Sequence, residues 1–320
     1  MIIDVHHHMI PLTIDEKAIS EKAEFLYTTF GGGARSSQRI DVTLEDIRQA
    51  LSSYGPDPHG EKLLQRMAKA GIDITVLCVA DDILLGLSNE EVLSKNRICA
   101  DIAAGSHGKI VAMAGIDPRR KAAPNLFRQC IEVYGMRGLK WHCNLGYAPN
   151  SEGAYAVLKV AEKLGTPLLT HTGPTPPPSR KPKESGWGRL VHPNLLDDVT
   201  MDFPGLKVIA AHMGMLAWRD DWAGLAQVRR NLYGDLAFWQ IYAASNYERF
   251  CHDLRYNLDV AGSDSVLFGS DGPSAIALMP NEDFIQILRD LPQKAPLGVR
   301  FTKEEVEGIL GGNAKKVFGI

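Results

Sequence analysis

The chain has 320 residues, of which 45% are hydrophobic and 23% are charged. These fractions are average for soluble globular proteins, so the disordered, collagen-like and disulfide-scaffold classes are excluded. The 35 Lys and Arg residues against 38 Asp and Glu residues give a net charge of −3, and no basic run indicates a nucleic-acid partner.

Targeting signals and cysteine pairs are missing from the sequence. No segment approaches the roughly 18 uninterrupted apolar residues of a transmembrane helix, and residues 1–6 lack the basic start and long apolar run of a signal peptide. The five cysteines are odd in number and form no CxxC pair, which is typical of reduced thiols. We therefore expect a cytoplasmic protein with no membrane partner.

Eight short apolar segments recur along the chain, and each is followed by turn residues and then by a helical pattern. This alternation is typical of βα units around a parallel sheet. The predicted strands are 2–6, 74–80, 110–116, 138–142, 167–171, 207–212, 232–236 and 265–271. Eight strands close a barrel, so the sequence predicts a single α/β domain, 1–320, with the (β/α)8 TIM-barrel fold.

Helical patterns fill the intervals between the predicted strands. They cover 43–53, 60–70, 90–104, 125–135, 153–164, 193–203, 222–231 and 242–258. Thr43 and Asp46 fit a capping box at the start of the first of these helices. Gly71 follows the second, at the left-handed position that commonly ends a helix.

Two segments exceed what a minimal barrel needs. A barrel with its helices takes about 250 residues, which leaves roughly 70 for insertions. The surplus lies in 10–58, after the first strand, and in 174–191, after the fifth. Both segments follow the carboxyl end of a strand, where barrel enzymes build their sites, so we expect the substrate-specific residues there.

Six of the ten histidines fall at or next to the carboxyl ends of predicted strands: His6, His7, His8, His142, His171 and His212. Asp271 closes the eighth strand, and a carboxylate in that position is costly to bury without a partner. Residues two apart on a strand share a face. His6 and His8 should therefore point the same way, with His7 on the opposite face.

A metal site is the hypothesis that accounts for this placement. His6, His8, His171 and Asp271 form a nitrogen and oxygen ligand set at the barrel mouth, suited to Zn as the first choice and also to Mn or Fe. His212, on the neighbouring strand, is expected to act as a further ligand or proton carrier. Any one of these histidines alone fits a hydrogen-bonded structural role; only their conjunction predicts the metal.

Several motifs together resemble a known family. They are Ile3-Asp-Val-His-His-His8, Gly138-Leu-Lys-Trp-His142, Leu168-Leu-Thr-His-Thr-Gly173, the segment 192–212, Phe268-Gly-Ser-Asp271 and the segment 310–318. Across essentially the whole chain they resemble the amidohydrolase superfamily, and more closely its amidohydrolase-related branch, which includes the aminocarboxymuconate semialdehyde decarboxylase group.

The resemblance implies a divalent metal at the mouth of a (β/α)8 barrel. It implies metal ligation by His6, His8, His171 and Asp271, with His212 acting on substrate or on activated water. In binuclear members a carboxylated lysine on strand four bridges two metals. Lys140 is followed here by Trp141 and His142, as in the mononuclear branch, so one metal ion is expected.

Three enzyme reactions fit this ligand set. The main hypothesis is a hydrolase of a small amide, lactone or ester, in which a metal-activated water attacks a carbonyl while Asp271 and His212 act as catalytic groups. The alternative is a metal-dependent non-oxidative decarboxylase (carboxy-lyase) of an aromatic or muconate-like acid. A hydratase is a third reaction, and a barrel that has lost its chemistry and serves as a binding protein is a fourth reading.

Substrate contacts are predicted mainly from the insertions. Arg180, His142 and Trp239 are the predicted substrate-binding residues. Further candidates are Arg35 and Arg219 for a carboxylate, and Trp218, Trp222 and Phe30 for an apolar wall. The alternative for the arginines is a solvated surface position, and for Trp218 and Trp222 it is the packing of one helix side on the barrel. The expected partner is a small molecule, and a homodimer is a further expectation.

Overall fold

The computed structural model describes residues 1–9, 15–31, 42–175 and 188–320. Its eight parallel strands are β1 Ile3–His8, β2 Ile74–Cys78, β3 Ile110–Gly115, β4 Leu139–Trp141, β5 Leu168–His171, β6 Val208–Ala211, β7 Leu232–Asp235 and β8 Val266–Leu267. They follow one another in sequence order around one sheet. The predicted (β/α)8 TIM barrel is therefore confirmed.

The α-helices surround this sheet. They are α1 Glu16–Leu26, α2 Leu44–Tyr54, α3 Glu61–Ala70, α4 Asn89–Gly105, α5 Ala123–Glu132, α6 Glu152–Lys163, α7 Leu196–Asp202, α8 Met215–Val228, α9 Trp239–Ser245, α10 Tyr247–Ala261, α11 Asn281–Lys294, α12 Lys303–Glu307 and α13 Asn313–Phe318. The capping box of Thr43 and Asp46 is present at the start of α2. No helix in the described ranges is long and apolar enough to cross a membrane.

Two predicted helices differ from those observed. The pattern over 242–258 is two helices, α9 and α10, because Asn246 interrupts it and its side chain accepts the backbone N–H of Arg249. The predicted helix 222–231 begins earlier, at Met215, as α8.

The eighth strand is shorter than predicted and closes the barrel irregularly. The regular hydrogen-bond pairing of β8 ends at Leu267. Two further backbone hydrogen bonds still join the following residues to β1: the Val5 N–H donates to the Phe268 carbonyl at 3.0 Å, and the Asp271 N–H donates to the His6 carbonyl at 2.7 Å. Gly269 permits this path, since a Cβ there would lie 3.1 Å from that of His6. The chain thus brings Asp271 directly beside β1.

Apolar side chains fill the barrel interior and the layer between sheet and helices. The interior cluster includes Ile3, Val5, Val76, Val111, Leu169, Ile209 and Leu267, closed at the amino-terminal end by Val317 and Phe318 of α13. Neighbouring strand residues such as Leu168 and Leu139 belong to the outer cluster. This alternation is expected for a filled barrel and leaves the carboxyl ends for polar side chains.

A β-bulge turns the first histidines towards the barrel mouth. The register of β1 on β2 shifts between Asp4 and His7, and a bulge of this kind re-aims the side chains that follow it. Ile3 and Val5 lie in the interior cluster, whereas His7 lies beside Tyr54 of α2, with ring centroids 6.4 Å apart. His6 and His8 can therefore face the mouth on the same strand.

The insertion after β1 packs on the barrel through a separate apolar cluster. Its members include Ile19, Ala23 and Leu26 of α1, Ile47 and Leu51 of α2, Ile241 of α9, and Ala275 and Leu278 after β8. We call this set the insertion cluster. The second predicted insertion, 174–191, is described only at 174–175 and 188–191, and the domain limits of 1–320 stay a prediction.

Two glycines test the packing of the barrel. A Cβ on Gly115 of β3 would lie 2.2 Å from the Val79 carbonyl oxygen, whereas a Cβ on Gly224 of α8 meets nothing within 4 Å. Gly115→Ala should therefore lower the free energy of unfolding by about 1–3 kcal/mol. Gly224→Ala should raise it by about 0.5–1 kcal/mol, because alanine favours the helix. Urea unfolding measures both, and equal effects would contradict the assigned packing.

Candidate metal centre

Three donor atoms meet where β1 and the segment after β8 come together. The Nε2 atoms of His6 and His8 are 3.0 Å apart. The Oδ1 atom of Asp271 lies 3.1 Å from Nε2 of His8 and 3.6 Å from Nε2 of His6. These three groups therefore point their donor atoms into one common space.

The remaining two predicted residues join the same cluster. Nε2 of His212 lies 3.2 Å from Nδ1 of His171, and the rings of His6 and His212 are 5.2 Å apart. Ligand atoms of His6, His212 and Asp271 all lie within 4.8 Å of one another. The structure thus brings together all five residues, and the ligand atom of His212 lies within the same 4.8 Å group as those of His6 and Asp271.

Hydrogen bonds orient three of the imidazoles. Nδ1 of His6 faces a carboxylate oxygen of Asp235 at 2.9 Å, Nδ1 of His212 faces the Ala237 carbonyl at 3.0 Å, and Nε2 of His171 faces the Gly173 carbonyl at 3.1 Å. Each of these partners only accepts, so each of these nitrogens donates a proton. In the neutral ring the other nitrogen keeps its lone pair, and that nitrogen faces the cluster.

This donor set fits a divalent cation. When both rings are neutral, the lone pair on Nε2 of His212 faces the lone pair on Nδ1 of His171 across 3.2 Å. A cation bound between the two nitrogens would remove this repulsion. Metal-binding histidines commonly donate their second ring nitrogen to a carboxylate or carbonyl in this way. With the Asp271 carboxylate, the cluster offers nitrogen and oxygen ligands of the type that Mn, Fe and Zn accept.

The protonation states of the cluster also suit metal binding. Burial lowers the pKa of His6 to about 4 and that of His171 well below 6.5. For Asp271 burial acts in the opposite direction, but the neighbouring His6 and His8 hold its pKa well below 3.8. Neutral imidazoles and an ionised carboxylate are the forms that bind metal.

Lys140 of β4 lies against the floor of this cluster. Its Nζ is 2.8 Å from Nε2 of His6, its side chain is buried, and burial lowers its pKa. Lys140 is therefore the hydrogen-bond donor to the nitrogen of His6 that a metal would take.

Backbone strain is concentrated around the cluster. Among the described residues other than glycine, those with positive φ include His212 (67°), Met213 (51°), Met215 (54°), Phe238 (67°) and Asp271 (47°). All five lie just after β6, β7 or β8. Left-handed backbone of this kind costs roughly 1–3 kcal/mol per residue and clusters at functional sites, so the strain supports a functional role for this face.

Two supporting carboxylates lie behind the cluster. Asp235, at the end of β7, accepts the His212 N–H at 2.8 Å and the Ala237 N–H at 3.1 Å as well as the His6 ring. The sequence reasoning missed it, although it shows the signal that identified Asp271, a carboxylate that closes an apolar strand. Asp4, on β1, accepts the N–H and hydroxyl of Ser270 at 2.9 and 2.6 Å.

The predicted substrate-binding residues have different positions. His142 borders the cluster, with its ring 5.0 Å from that of His8. Trp239 is 2% exposed and its Nε1 donates to the His212 carbonyl at 2.9 Å. The indole is therefore buried and supports the backbone of His212, and the substrate contact of Trp239 stays a prediction. Arg180 and Arg35 lie outside the described residues.

The further candidates also separate into two groups. Arg219 forms ion pairs with Asp220 and Asp253, and Trp222 is buried with its Nε1 3.2 Å from the Tyr233 carbonyl. Both therefore hold helices in place, as does the half-buried Trp218 against the His192 ring. Phe30 instead lies 5.0 Å from Phe238.

The parallel barrel and the His and Asp cluster at the carboxyl ends of its strands define a class of barrel enzymes with a candidate metal centre. The amidohydrolase family model (Amidohydro_2) matches residues 3–320. The chain therefore belongs to the amidohydrolase family, as the sequence motifs predict, and is an enzyme of that superfamily. No curated protein matches the sequence significantly.

Three solved structures show the likeness of fold. A 5-carboxyvanillate decarboxylase from Sphingomonas paucimobilis is 17% identical, with 100% of this chain and 99% of that chain covered and a TM-score of 0.62. A 5-carboxyvanillate decarboxylase from Novosphingobium aromaticivorans, complexed with manganese and 4-hydroxy-3-methoxy-5-nitrobenzoic acid, is 15% identical, with 100% and 96% covered and a TM-score of 0.67. A dihydroxybenzoic acid decarboxylase from Polaromonas sp. JS666, with bound manganese and 2-nitroresorcinol, is 15% identical, with 99% and 96% covered and a TM-score of 0.63.

These comparisons correct the main functional hypothesis. These three structures are decarboxylases of aromatic acids rather than hydrolases of amides, lactones or esters. They favour the alternative hypothesis, and two of them carry manganese where the sequence alone favoured zinc.

Asp235 offers a test of how the cluster is oriented. Asp235→Asn should weaken Mn²⁺ binding by roughly 10–100-fold, because the carboxylate that fixes the ring of His6 is lost. Calorimetric titration of the metal-free protein measures the affinity. Asp264→Asn is the matched control, since Asp264 is exposed in the turn before β8. Unchanged affinity in Asp235→Asn would contradict the orienting role.

Stability of the metal-free protein should depend on pH. Burial lowers the histidine pKa values in the folded state for His6 (about 4), His7 (about 3), His8, His142 and His171. Below 6.5 the unfolded chain therefore binds more protons than the folded chain, and stability should rise with pH from about 4 to 6.5. Asp4, whose pKa burial raises to about 7, acts the opposite way but is one group against five.

The measurement is thermal unfolding in the presence of a chelator, at pH 5.0 and at pH 6.5. A higher midpoint at pH 6.5 is expected. A midpoint that falls over this interval would contradict the neutral state of the buried histidines.

Proposed function

We propose that the protein catalyses the metal-dependent, non-oxidative decarboxylation of an aromatic acid. The observation that carries this proposal is the cluster of imidazoles and one carboxylate at the mouth of a barrel whose similar structures are decarboxylases. The reaction consumes the arene carboxylate and one proton and releases CO2 and the arene. The bond between ring carbon and carboxyl carbon breaks, and its electron pair takes up the proton at the ring carbon.

His6, His8, His171 and Asp271 are the proposed ligands of one divalent ion. When bound, the ion supplies Lewis acidity that stabilises negative charge on substrate oxygens. Mn²⁺ is the first choice, because two similar structures contain manganese; Zn²⁺ also suits these donors.

His212 is the proposed group that carries the proton. Its Nδ1–H donates to the Ala237 carbonyl, which leaves Nε2 to hold a substrate oxygen or to exchange a proton at the face of the cluster. Asp235 and Trp239 fix the backbone of His212 through its N–H and its carbonyl. A proton carrier held on both sides in this way is aligned before substrate binds.

An apolar wall suited to an aromatic ring lies next to His212. The Phe238 ring is 5.8 Å from the His212 ring and 5.0 Å from the Phe30 ring, and both phenylalanines are half-buried. Aromatic rings at such separations attract one another in tilted or edge-to-face arrangements. This wall favours an aromatic acid over a small aliphatic carbonyl compound.

Carbon dioxide release from a panel of hydroxylated benzoic acids tests the proposal. The Mn²⁺-loaded protein should release CO2. His212→Ala should lower turnover by at least about 100-fold, since a positioned acid–base group contributes that much or more, and Asp271→Asn should lower it by at least about as much, since it removes an ionised ligand of the proposed ion. His252→Ala is the control, because His252 is exposed on α10. No release from any member of the panel, or full turnover in His212→Ala, would contradict the proposal.

A further inference from the structure

Helix α1 presents one face to the barrel. Ile19, Ala23 and Leu26 are buried in the insertion cluster against Ile241 and Leu278. Side chains three and four residues apart on a helix share a face. Residue 22, three after Ile19 and four before Leu26, therefore lies on the barrel side of the helix.

The residue at that position is Lys22. Its Nζ lies 5.5 Å from the centre of the Phe25 ring. From there a series of neighbouring rings leads to the cluster: Phe25 to Phe30 at 6.2 Å, Phe30 to Phe238 at 5.0 Å, and Phe238 to His212 at 5.8 Å. Lys22 thus lies at the far end of the aromatic wall that borders His212.

The charge that acts on Lys22 belongs to the candidate metal centre. The side chain is accessible to solvent. The surrounding protein partly desolvates the amine of Lys22 and lowers its pKa, and the negative charge of Asp271 offsets part of that decrease. Among the described residues no carboxylate forms a salt bridge with Lys22, whereas Lys17, on the same helix, pairs with Glu21 at 3.9 Å.

Other cations of this face already have partners. Arg119 and Arg120 bind the carboxylates of Asp117 and Asp81 at 2.6 and 2.7 Å, and Arg219 binds Asp253. Their charge is therefore compensated within the fold. Lys22 differs from them, because no carboxylate of the described residues pairs with its ammonium group while the charge of Asp271 acts on it.

The chemistry of decarboxylation decides which anion Lys22 can hold usefully. The leaving carboxylate loses its charge as CO2 forms, so a cation held against it would stabilise the substrate more than the transition state. A second anionic group that remains on the ring keeps its charge throughout. A cation at that group strengthens binding without slowing the chemical step.

We propose that Lys22 binds a second, unreacting anionic substituent, and that the substrate class is an aromatic acid with two anionic groups. The inference rests on the proposed function, because it assumes that the reacting ring carbon, and not the second anionic group, lies beside His212 at the candidate metal centre. It adds a specificity residue from the first insertion and defines the charge of the substrate.

Ligand binding tests the inference apart from turnover. Calorimetric titration of the Mn²⁺-loaded protein with isophthalate and with benzoate compares a dianion with a monoanion of the same ring. Lys22→Gln should weaken isophthalate binding by about tenfold or more, the effect of losing one charged hydrogen bond, and should leave benzoate binding nearly unchanged. Lys22→Arg should restore isophthalate binding, and Lys17→Gln, the matched control on α1, should change neither ligand.

Three outcomes would overturn the inference: isophthalate binding no tighter than that of benzoate in the wild-type protein, unchanged isophthalate binding in Lys22→Gln, or an equal loss for both ligands. Thermal unfolding of each variant shows that it is folded. Steady-state kinetics on a hydroxylated isophthalate add a second readout, because Lys22→Gln should raise KM and leave kcat nearly unchanged. Binding that depends on Lys22 without any CO2 release would refute the proposed function alone, and CO2 release that is indifferent to Lys22 would refute this inference alone.

Discussion

The buried carboxylate of Asp235 is the interaction on which the rest of the site depends. An ionised carboxylate is stable in a barrel interior only when donors surround it, and Asp235 has three: the His6 ring and the N–H groups of His212 and Ala237. These donors come from β1, from the turn after β6 and from the turn after β7. Burial would raise the pKa of Asp235, but the contact with His6 brings it to about 2, so the charge remains. One carboxylate thereby fixes the protonated nitrogen of His6 and the backbone of His212.

The two ends of the barrel differ in the residues that they carry. Apolar side chains and α13 fill the amino-terminal end, whereas the carboxyl end holds a bulge in β1, five left-handed residues and a cluster of buried ionisable groups. A strained backbone persists only where its surroundings determine it strongly. The packed interior holds the strained backbone in place, because Ile3 and Val5 are buried on the same strand that carries His6 and His8. Function on this fold is thus built on the part of each strand that contributes least to the core.

Much of this arrangement could be predicted from the sequence because strands and strand ends carry strong local signals. All eight apolar segments became strands, and the five residues of the predicted site meet in space. Asp235 was missed although it shows the same signal as Asp271. The burial of Trp239 could not be predicted, because proximity to a strand end does not reveal which side of the following helix faces the mouth. Helix α1 was missed because its apolar positions, Ile19, Ala23 and Leu26, are few and lie among charged residues. The reaction could not be chosen, since the same ligands serve hydrolysis and decarboxylation.

The charge balance of the candidate centre bears on the substrate contact proposed for α1. Two ionised carboxylates, Asp235 and Asp271, balance the two positive charges of a divalent ion, and the surrounding histidines of β1 and β5 are neutral. Apart from the buried Lys140, the barrel itself therefore offers an anionic substrate little net attraction. Additional positive charge must come from outside the strands, and α1 brings it on an element with its own apolar cluster. Because that cluster is separate from the barrel core, substitutions on the exposed side of α1 should leave the proposed metal ligands undisturbed.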